Sequence, residues 1–569
     1  MARKNRNKGQ DLPSTFNLGG ANQSSKSGSN LFGKSVPVST QETKHMSRRQ
    51  EKKAAAVDTK DVFSTGSGSQ AINMGNRTWA DMLADIEHWT PLPFSHGMEM
   101  ELIICDNAGN YLEGDAMVHR MGEITNDATS IMNQLINYEY DDPNRRFTPM
   151  PEYIRSKLGK MAFMGSDIEK GQVMKINYML YDQNTYLDID SFGRDGNVTA
   201  ITYILELVTP PCFYAEELAY WASTLFNLAK ETLPRDLNIV ASAFNPASKE
   251  YQRGLSQGDH HHIGTFVSDL ERAQCYDMIR NFLPHLIALS VNSPIINNAP
   301  TDVVKVKDGI YTCPNCIRSL RLYNNTTMLS SNEAIKYIPY LATGSQEDKD
   351  YLLSVLQKAS MEDARFQDVF PFTDWNTMEV RVMDAQLSIC RRIGLGLLVQ
   401  ALCYKARKLL EKRKWVPDVG SDTLTFNRKN AIARGLIGIF KGINVTHEDL
   451  DKYDPDFANY YLGTKDHPHR FIFQSVQGMF KYIKNELKEL GFLYSPFLKP
   501  VLQSVFGNIT YAKPPLTEAE YQISLYDFKQ KEGQVPNILR DLIYFTLEYS
   551  KDPLNNPLTG DLHLPDDMR

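Results

Sequence analysis

The chain has 569 residues, of which 42% are hydrophobic and 23% charged, with a formal net charge of −6. This is the composition of a soluble globular protein with material for a large core, and no apolar run approaches the roughly 20 residues that a membrane span requires. Residues 1–60 hold twelve Lys/Arg against four Asp/Glu, a net of +8 that leaves −14 for the remainder, so the acidic body argues against nucleic acid as the main ligand.

Residues 1–75 are rich in Ser, Gly, Asn, Gln and Lys and lack apolar periodicity, which predicts a disordered basic tail. Such a tail can touch nucleic acid or another acidic partner, but simple solvation is the favoured reading. Met1–Lys8 is basic and polar with no apolar stretch after it, so secretion is not expected. The seven cysteines, at 105, 212, 275, 313, 316, 390 and 403, are odd in number and scattered, which points to a reducing cytoplasm rather than a disulfide framework.

Order is expected to begin at Asn76, where Trp79, Met82, Leu83 and Ile86 recur at helical spacing. The segments Met98–Cys105, Val173–Tyr181, Thr202–Thr209, Leu237–Ala243 and His260–Val267 read as strands, the last two flanking a polar loop that carries Arg253. Helical spacing marks Glu216–Glu231, Ser268–Val291 and Asp384–Leu410, and then Phe471–Leu490 and Ile538–Tyr549 in a mostly helical C-terminal region. Strands separated too irregularly for repeated βαβ units suggest an α+β fold, with a largely antiparallel sheet and helices on one side.

Three strand-like segments alternate ionisable residues with others: Gly97-Met98-Glu99-Met100-Glu101, Asp259-His260-His261-His262-Ile263-Gly264 and Thr377-Met378-Glu379-Val380-Arg381. At period two, Glu99 and Glu101 share a face, as do His260 and His262, and Glu379 and Arg381. Paired glutamates supply hard oxygen ligands for Mg²⁺ or Mn²⁺, or else form an ordinary solvent-facing strand. Glu206 interrupts the apolar run Tyr203–Thr209 and needs a metal or an arginine for compensation, unless it reaches water from an edge strand. His260 and His262 suit Zn²⁺, Mn²⁺ or Mg²⁺, or a donor role toward phosphate, whereas His261 faces the other way as a packed histidine.

Cys313-Pro314-Asn315-Cys316 has the spacing of half a zinc ribbon, but no second such pair exists, and a loop with two free thiols is the favoured reading. Arg318 and Arg321 are either carboxylate or phosphate ligands or surface arginines. A carboxylate beside an arginine, as at Glu379 and Arg381, is a combination used in phosphoryl transfer. No Gly-x-x-x-x-Gly-Lys-Ser/Thr loop is present.

Together these segments resemble the carboxylate-amine ligase family that includes the glutamate-cysteine ligases. Gly97–Glu101 looks like its Gly-x-Glu-x-Glu strand, Glu206-Leu207-Val208-Thr209-Pro210 its Glu-x-x-Thr-Pro strand, and Gly258–Gly264 its Gly-x-His-x-His-x-Gly strand. Leu289–Pro294 is similar to its Leu-Ser-x-Asn-Ser-Pro turn, and Thr377–Gln386 to its Thr-x-Glu-x-Arg-x-x-Asp-x-Gln segment, in the same order over residues 95–440.

The resemblance implies a glutamine-synthetase-like curved antiparallel sheet with helices on its outer side, in a catalytic domain over 76–440 followed by a helical region over 441–569. It implies ATP and Mg²⁺, with Mn²⁺ as a substitute, and an acyl phosphate formed on a small carboxylate such as the γ-carboxylate of glutamate. An amine such as cysteine then displaces phosphate, with glutathione biosynthesis as the implied setting. Glu99, Glu101, Glu206, His262 and Glu379 match positions that hold the metal, and Arg381 one that meets phosphate. His260 is a weaker candidate nearby, and the polar loop 301–330, with Arg318 and Arg321, is a candidate lid. The tail, the Cys-x-x-Cys loop and the region past 440 are not covered by the shared motifs. A metal-dependent hydrolase built on the His/Glu cluster and a non-catalytic scaffold of the same fold are the alternatives.

Overall fold

The computed structural model describes residues 78–110, 127, 130–142, 145–158, 180–182, 203–248, 256–300, 305–307, 310–312, 317–324, 339–361, 367–373, 375–443, 453–507, 516–558, 562 and 564–569. Met1–Gly75 lies outside the described residues, and with it the expectation of a disordered tail.

The molecule is organised around one strand. The first helix, α1 (Trp79–Ala84), starts in a capping box in which the Asp81 amide donates to Thr78 Oγ1 and the Thr78 amide to Asp81, and it buries Trp79, Met82 and Leu83. The chain then enters β1 (Pro91–Asp106), a strand of 16 residues. At about 3.3 Å per residue it is long enough to pair with two short strands along each edge. Along one edge lie β3 (Tyr203–Val208) and β4 (Cys212–Tyr214); along the other lie β5 (Leu237–Val240) and β6 (Gly258–Gly264). The sheet extends from β6 through β8 (Met378–Asp384) to β7 (Val369–Phe370), and from β3 to β2 (Leu180–Asp182). Every pairing is antiparallel, so the α+β class with an antiparallel sheet stands. Most of the segment expected as the strand Val173–Tyr181 lies outside the described residues; what is described pairs with β3.

Period-two geometry divides β1 into two chemistries. Met98, Met100 and Leu102 are buried on one face, while Gly97, Glu99 and Glu101 lie on the other. Helices α2 (Ala215–Thr232) and α6 (Ile389–Glu411) pack on β1. Between them in sequence run α3 (Asp269–Asn281), α4 (Leu283–Ser290) and the short α5 (Leu320–Asn324). Helix α6 meets the reverse face of the sheet with residues four apart. Arg392 pairs with Asp259, Gly396 lies against the rings of His96 and His261, and Gln400 bonds both backbone groups of Phe94 and approaches His96 Nδ1. His96 Nε2 and His261 Nδ1 are 2.8 Å apart, so His261 is the packed histidine its position in the strand predicts.

Several boundaries differ from the periodicity. Ser268–Val291 is two helices because Pro284, in the first turn of α4, has no N–H to continue the ladder from α3. Strand β6 ends at Gly264, where Thr265 turns to φ 63°. The segment expected to start a helix at Asp384 finishes β8 first, and α6 begins after Ser388, whose hydroxyl accepts from the Arg391 amide. Phe471–Leu490 forms two helices, α8 (Ile472–Tyr482) and α9 (Lys484–Glu489), after α7 (Ser421–Arg434); nothing in the local sequence explains the break. The chain closes with α10 (Glu518–Lys531) and α11 (Ile538–Lys551). Among the described residues no helix is long and apolar enough to cross a membrane.

A Cβ at Gly396 would stand 2.8 Å from His96 Cε1 and 3.2 Å from His261 Nδ1, both in rings held between sheet and helix. Gly396→Ala is therefore expected to lower stability by about 1–3 kcal/mol, the usual cost of overpacking, as read by denaturant unfolding.

Candidate active site

The register of four strands brings the ionisable side chains to the face opposite α6. Glu101 lies across from Glu206 in the β1–β3 pair, Glu99 across from His260 in β1–β6, and Glu379 across from His262 in β8–β6. Residues that face each other across a ladder share a face, so these six form one row that Arg381 extends along β8.

The distances bear out this convergence. His260 Nδ1 is 3.1 Å from one Glu99 oxygen and His262 Nε2 is 3.2 Å from the other. Glu379 Oε1 lies 3.7 Å from His260 and 3.8 Å from His262, and it pairs with Arg381 Nη1. Glu101 accepts from the Gly258 amide at 2.7 Å and points its other oxygen at His260 Nε2, 3.8 Å away. Arg321, at the start of α5, donates from Nη2 to the Arg381 carbonyl at 2.8 Å and stands 3.5 Å from His260 Nε2. Its guanidinium lies directly over Gly258, where any Cβ would collide with it.

Arg318 does not enter this row. It is fully buried, with Nε donating to Glu520 at 2.7 Å. Neither arginine is the surface residue that the sequence allowed: Arg318 and Arg321 are 0% and 4% exposed. Of the expected lid, residues 301–304, 308–309, 313–316 and 325–330 lie outside the described residues, and with them the Cys313/Cys316 pair; Lys305–Lys307 and Ile310–Thr312 form a small antiparallel ribbon. Arg253 also lies outside them.

Four carboxylates face two guanidinium groups in this row, and the titration of the row reflects that deficit of positive charge. Burial, then the charges of Glu99 and Glu101, push Glu206 well above the ordinary carboxylate range. Burial also raises Glu101, against the pull of Arg321 and Arg381. Glu99 behaves oppositely: burial is outweighed by His262 and by the bonds from both histidines, which hold it well below the usual range. His262 is raised, because Glu99 and Glu379 overcome the burial that disfavours its charge. His260 falls to about 3 through burial and the nearby Arg381.

A divalent cation would relieve this imbalance, and the donor set fits one. Glu99, Glu206 and His260 offer ligand atoms within 4.8 Å of one another, and so do Glu99, His262 and Glu379, which makes Glu99 common to both groups. Hard carboxylate oxygens, joined in each group by one imidazole, suit Mn²⁺ or Mg²⁺. His262 Nε2 is buried without a well-aligned hydrogen bond, while Nδ1 lies 3.1 Å from Thr377 Oγ1, itself 2.6 Å from Thr373 Oγ1. With a cation in place of the proton that Nε2 turns to Glu99, an Nδ1–H donated to Thr377 would leave the Nε2 lone pair aimed into the cluster, the arrangement in which a metal-binding histidine is oriented from behind.

Sequence reasoning gave no role to the residues that support this row. Thr377, Asp384 and Gln386 stand in the Thr377–Gln386 segment, and their polarity at the ends of an apolar strand is the signal that could have found them. Both Asp384 oxygens are used, accepting from the Asn292 amide, Ser293 Oγ and Ser319 Oγ, all at 2.8 Å. Gln386 donates to the Ser290 and Asp384 carbonyls and accepts from Arg391. These bonds fasten the turn before α5 to the end of β8.

An antiparallel sheet with a carboxylate, imidazole and guanidinium face is the architecture that the resemblance to carboxylate-amine ligases implied. Known proteins point the same way: residues 251–438 match the model described as Glutamate-cysteine ligase family 2 (GCS2). A protein provisionally named glutamate–cysteine ligase 2 from Azoarcus sp. (strain BH72) is 28% identical over 235 residues, 41% of this chain and 52% of the relative. Its counterpart from Cupriavidus metallidurans is 31% identical over 182 residues, 32% and 43% of the two chains. The chain thus spans about half the length of the curated relatives it matches. Among solved structures, the glutamate–cysteine ligase of Francisella tularensis in complex with AMP matches at TM-score 0.39 and 12% identity, over 81% of this chain and 94% of the other. A bifunctional glutathione synthetase from Pasteurella multocida matches at TM-score 0.38 and 12% identity, over 80% and 52%. The family match takes in His260, His262, Arg321, Glu379 and Arg381; Glu99, Glu101 and Glu206 lie before it.

Thr377→Val, which keeps shape and removes the hydroxyl, is expected to weaken Mn²⁺ binding about 10–100-fold by calorimetry, the usual cost of losing such an orienting partner. Glu206 has a second, opposite signature. Its folded pKa lies above the unfolded value of 4.5, so its ionisation costs stability as pH rises from that value toward the folded one. Glu206→Gln should stabilise the metal-free protein by about 1–3 kcal/mol near neutral pH, with a gain that shrinks toward pH 4, while weakening metal binding.

Proposed function

We propose that the chain is an ATP- and Mg²⁺-dependent carboxylate–amine ligase that forms an amide through an acyl phosphate, with a glutamate γ-carboxylate and cysteine or another small amine as substrates. The observation that carries this reading is the single row of Glu99, Glu101, Glu206, His260, His262, Glu379 and Arg381, contributed by four strands and joined by Arg321.

An amine cannot displace hydroxide from a carboxylate at neutral pH, so the departing oxygen must first become a phosphate. In the first step a carboxylate oxygen attacks the γ-phosphorus of ATP and ADP leaves. In the second the amine attacks the acyl carbon, loses a proton, and inorganic phosphate departs. Divalent ions held by Glu99, Glu206 and His260 and by Glu99, His262 and Glu379 would supply charge neutralisation for the phosphate oxygens. The protein's own contribution is positional. Arg321 presents Nε and Nη1 as buried donors with no partner among the described residues, which suits them to an anion entering the row. Arg381, 19% exposed, occupies the rim beside Glu379. Glu101 is held in place by the Gly258 amide, and Gly258 itself admits the Arg321 guanidinium over the strand.

The test is ATP-dependent formation of an amide from glutamate and a panel of amines, read by phosphate release and product mass. Glu379→Ala is expected to lower kcat/KM by about 10³-fold, and Arg321→Ala by about 10²–10³-fold, the scale of losing a charge-stabilising group. No substrate-dependent phosphate release from the unaltered protein, or a stoichiometric Zn²⁺ with hydrolase activity, would overturn the reading.

A further inference from the structure

The region past residue 440 lies outside the family match, yet the first turn of α10 reaches three segments that frame the site. Glu518 accepts from the Leu387 and Ser388 amides, at the turn between β8 and α6. Glu520 divides its two oxygens: one accepts from Thr517 as a capping box, at 3.1 Å from the amide, and the other from Arg318 Nε at 2.7 Å. Gln522 donates to the Asn292 carbonyl at 2.9 Å and to its side-chain oxygen at 2.7 Å, and the Ala519 amide donates to the Val291 carbonyl.

These contacts converge on one short piece of backbone. Ser293 and Ser319 form a parallel bridge in which the Ser293 amide donates to the Arg318 carbonyl and the Leu320 amide to the Ser293 carbonyl. The Arg318 and Ser319 amides both donate to the Ile432 carbonyl, and Asp384 holds Ser293 and Ser319 from the sheet side. Arg321 emerges two residues after Ser319, so the direction of its guanidinium is set by this bridge. The bridge is gripped from one side by Asp384 and from the other by Glu520, through Arg318, and Gln522, through Asn292. Arg318 is wholly buried, and among the described residues its Nη1 and Nη2 have no hydrogen-bond partner, so the ion pair at Nε with Glu520 is what compensates its charge. An arginine in that position without its carboxylate would leave an uncompensated buried charge, which is strongly destabilising when a buried pair is broken.

We propose that Glu520 and Gln522 are positioning residues for Arg321: helix α10 clamps the 318–321 segment and so aims the anion-binding guanidinium at the row of carboxylates. Arg321's role toward phosphate rests on the ligase reading; the clamp itself does not. A region with no counterpart in the family match thereby governs ATP affinity without contacting ATP.

The test uses the full chain. Glu520→Gln retains an acceptor for the capping box and removes the negative charge that faces Arg318. Thr517→Ala weakens the helix start and leaves the Glu520–Arg318 pair. Gln522→Ala releases Asn292 alone and serves where Glu520→Gln folds poorly. In metal- and nucleotide-free protein, Glu520→Gln and Gln522→Ala are expected to speed amide exchange over 317–324 about tenfold or more, while Thr517→Ala leaves it unchanged. With Mn²⁺ present, the same two variants should weaken ATP binding about 10–100-fold and leave Mn²⁺ affinity within about twofold. In an Arg321→Ala background their effect on ATP binding should vanish. Unchanged exchange over 317–324, equal effects from Thr517→Ala, or additivity with Arg321→Ala would overturn the proposal. An exchange response in a protein that binds no ATP at all would sustain the clamp and sink the ligase reading.

Discussion

Four carboxylates share one face of an antiparallel sheet, Glu101, Glu206 and Glu379 buried and Glu99 partly so, and the other features of the molecule follow from accommodating them. Glu99, Glu101, Glu206 and Glu379 are close enough that Glu206 is held toward its neutral form by burial and by its neighbours' charges. Such a face is unfavourable by itself. It is tolerated because each strand carrying a glutamate lies beside or near one carrying a histidine or an arginine, so that Glu99 is held between His260 and His262, and Glu379 between His262 and Arg381. The compensation remains incomplete, which the cation and phosphate of the proposed reaction would make good. Incompletely compensated charge of this kind is common at functional sites.

The reverse face of the same strands has a different task. Residues that alternate with the site residues, His96, Met98, Asp259 and His261, are all buried, and α6 reaches His96, Asp259 and His261 with Arg392, Gly396 and Gln400. A one-residue slip of β6 would exchange His261 for His260 and place a packed ring in the site. The buried His96–His261 contact and the Asp259–Arg392 pair make such a slip costly, because each would lose its partner inside the core. The polar reverse face thus specifies the register on which the opposite face relies.

Beyond the sheet, the hub is Asp384. It ends β8, and its carboxylate gathers Asn292, Ser293 and Ser319 from segments 65 to 92 residues away. The same segments are met from outside by Glu520 and Gln522, and the turn after Asp384 by Glu518, all from the far C-terminal part of the chain. The C-terminal helices, though separate from the matched family segment, are continuous with the support of the site.

Much of the site is legible in the amino-acid order. Period two places Glu99 with Glu101, His260 with His262 and Glu379 with Arg381, and assigns His261 to the opposite face, because alternation along a strand depends on local backbone geometry alone. Glu206 stands out as a charge within an apolar run. The break at Phe282 and the late start of α6 are harder to read, since apolar spacing continues across both; Pro284 marks the first, and the second depends on Asp384 being drawn into bonds with distant serines. Arg318 and Arg321, three residues apart, look equivalent in the chain, yet one turns to Glu520 and the other to His260 and the Arg381 carbonyl. Which side chains can share a face was thus written in the local residue pattern, since it follows from neighbouring dihedral angles. Which faces meet, which of the two arginines enters the site and what holds it there were settled by the folded molecule, because those outcomes arise from contacts between residues far apart in the chain.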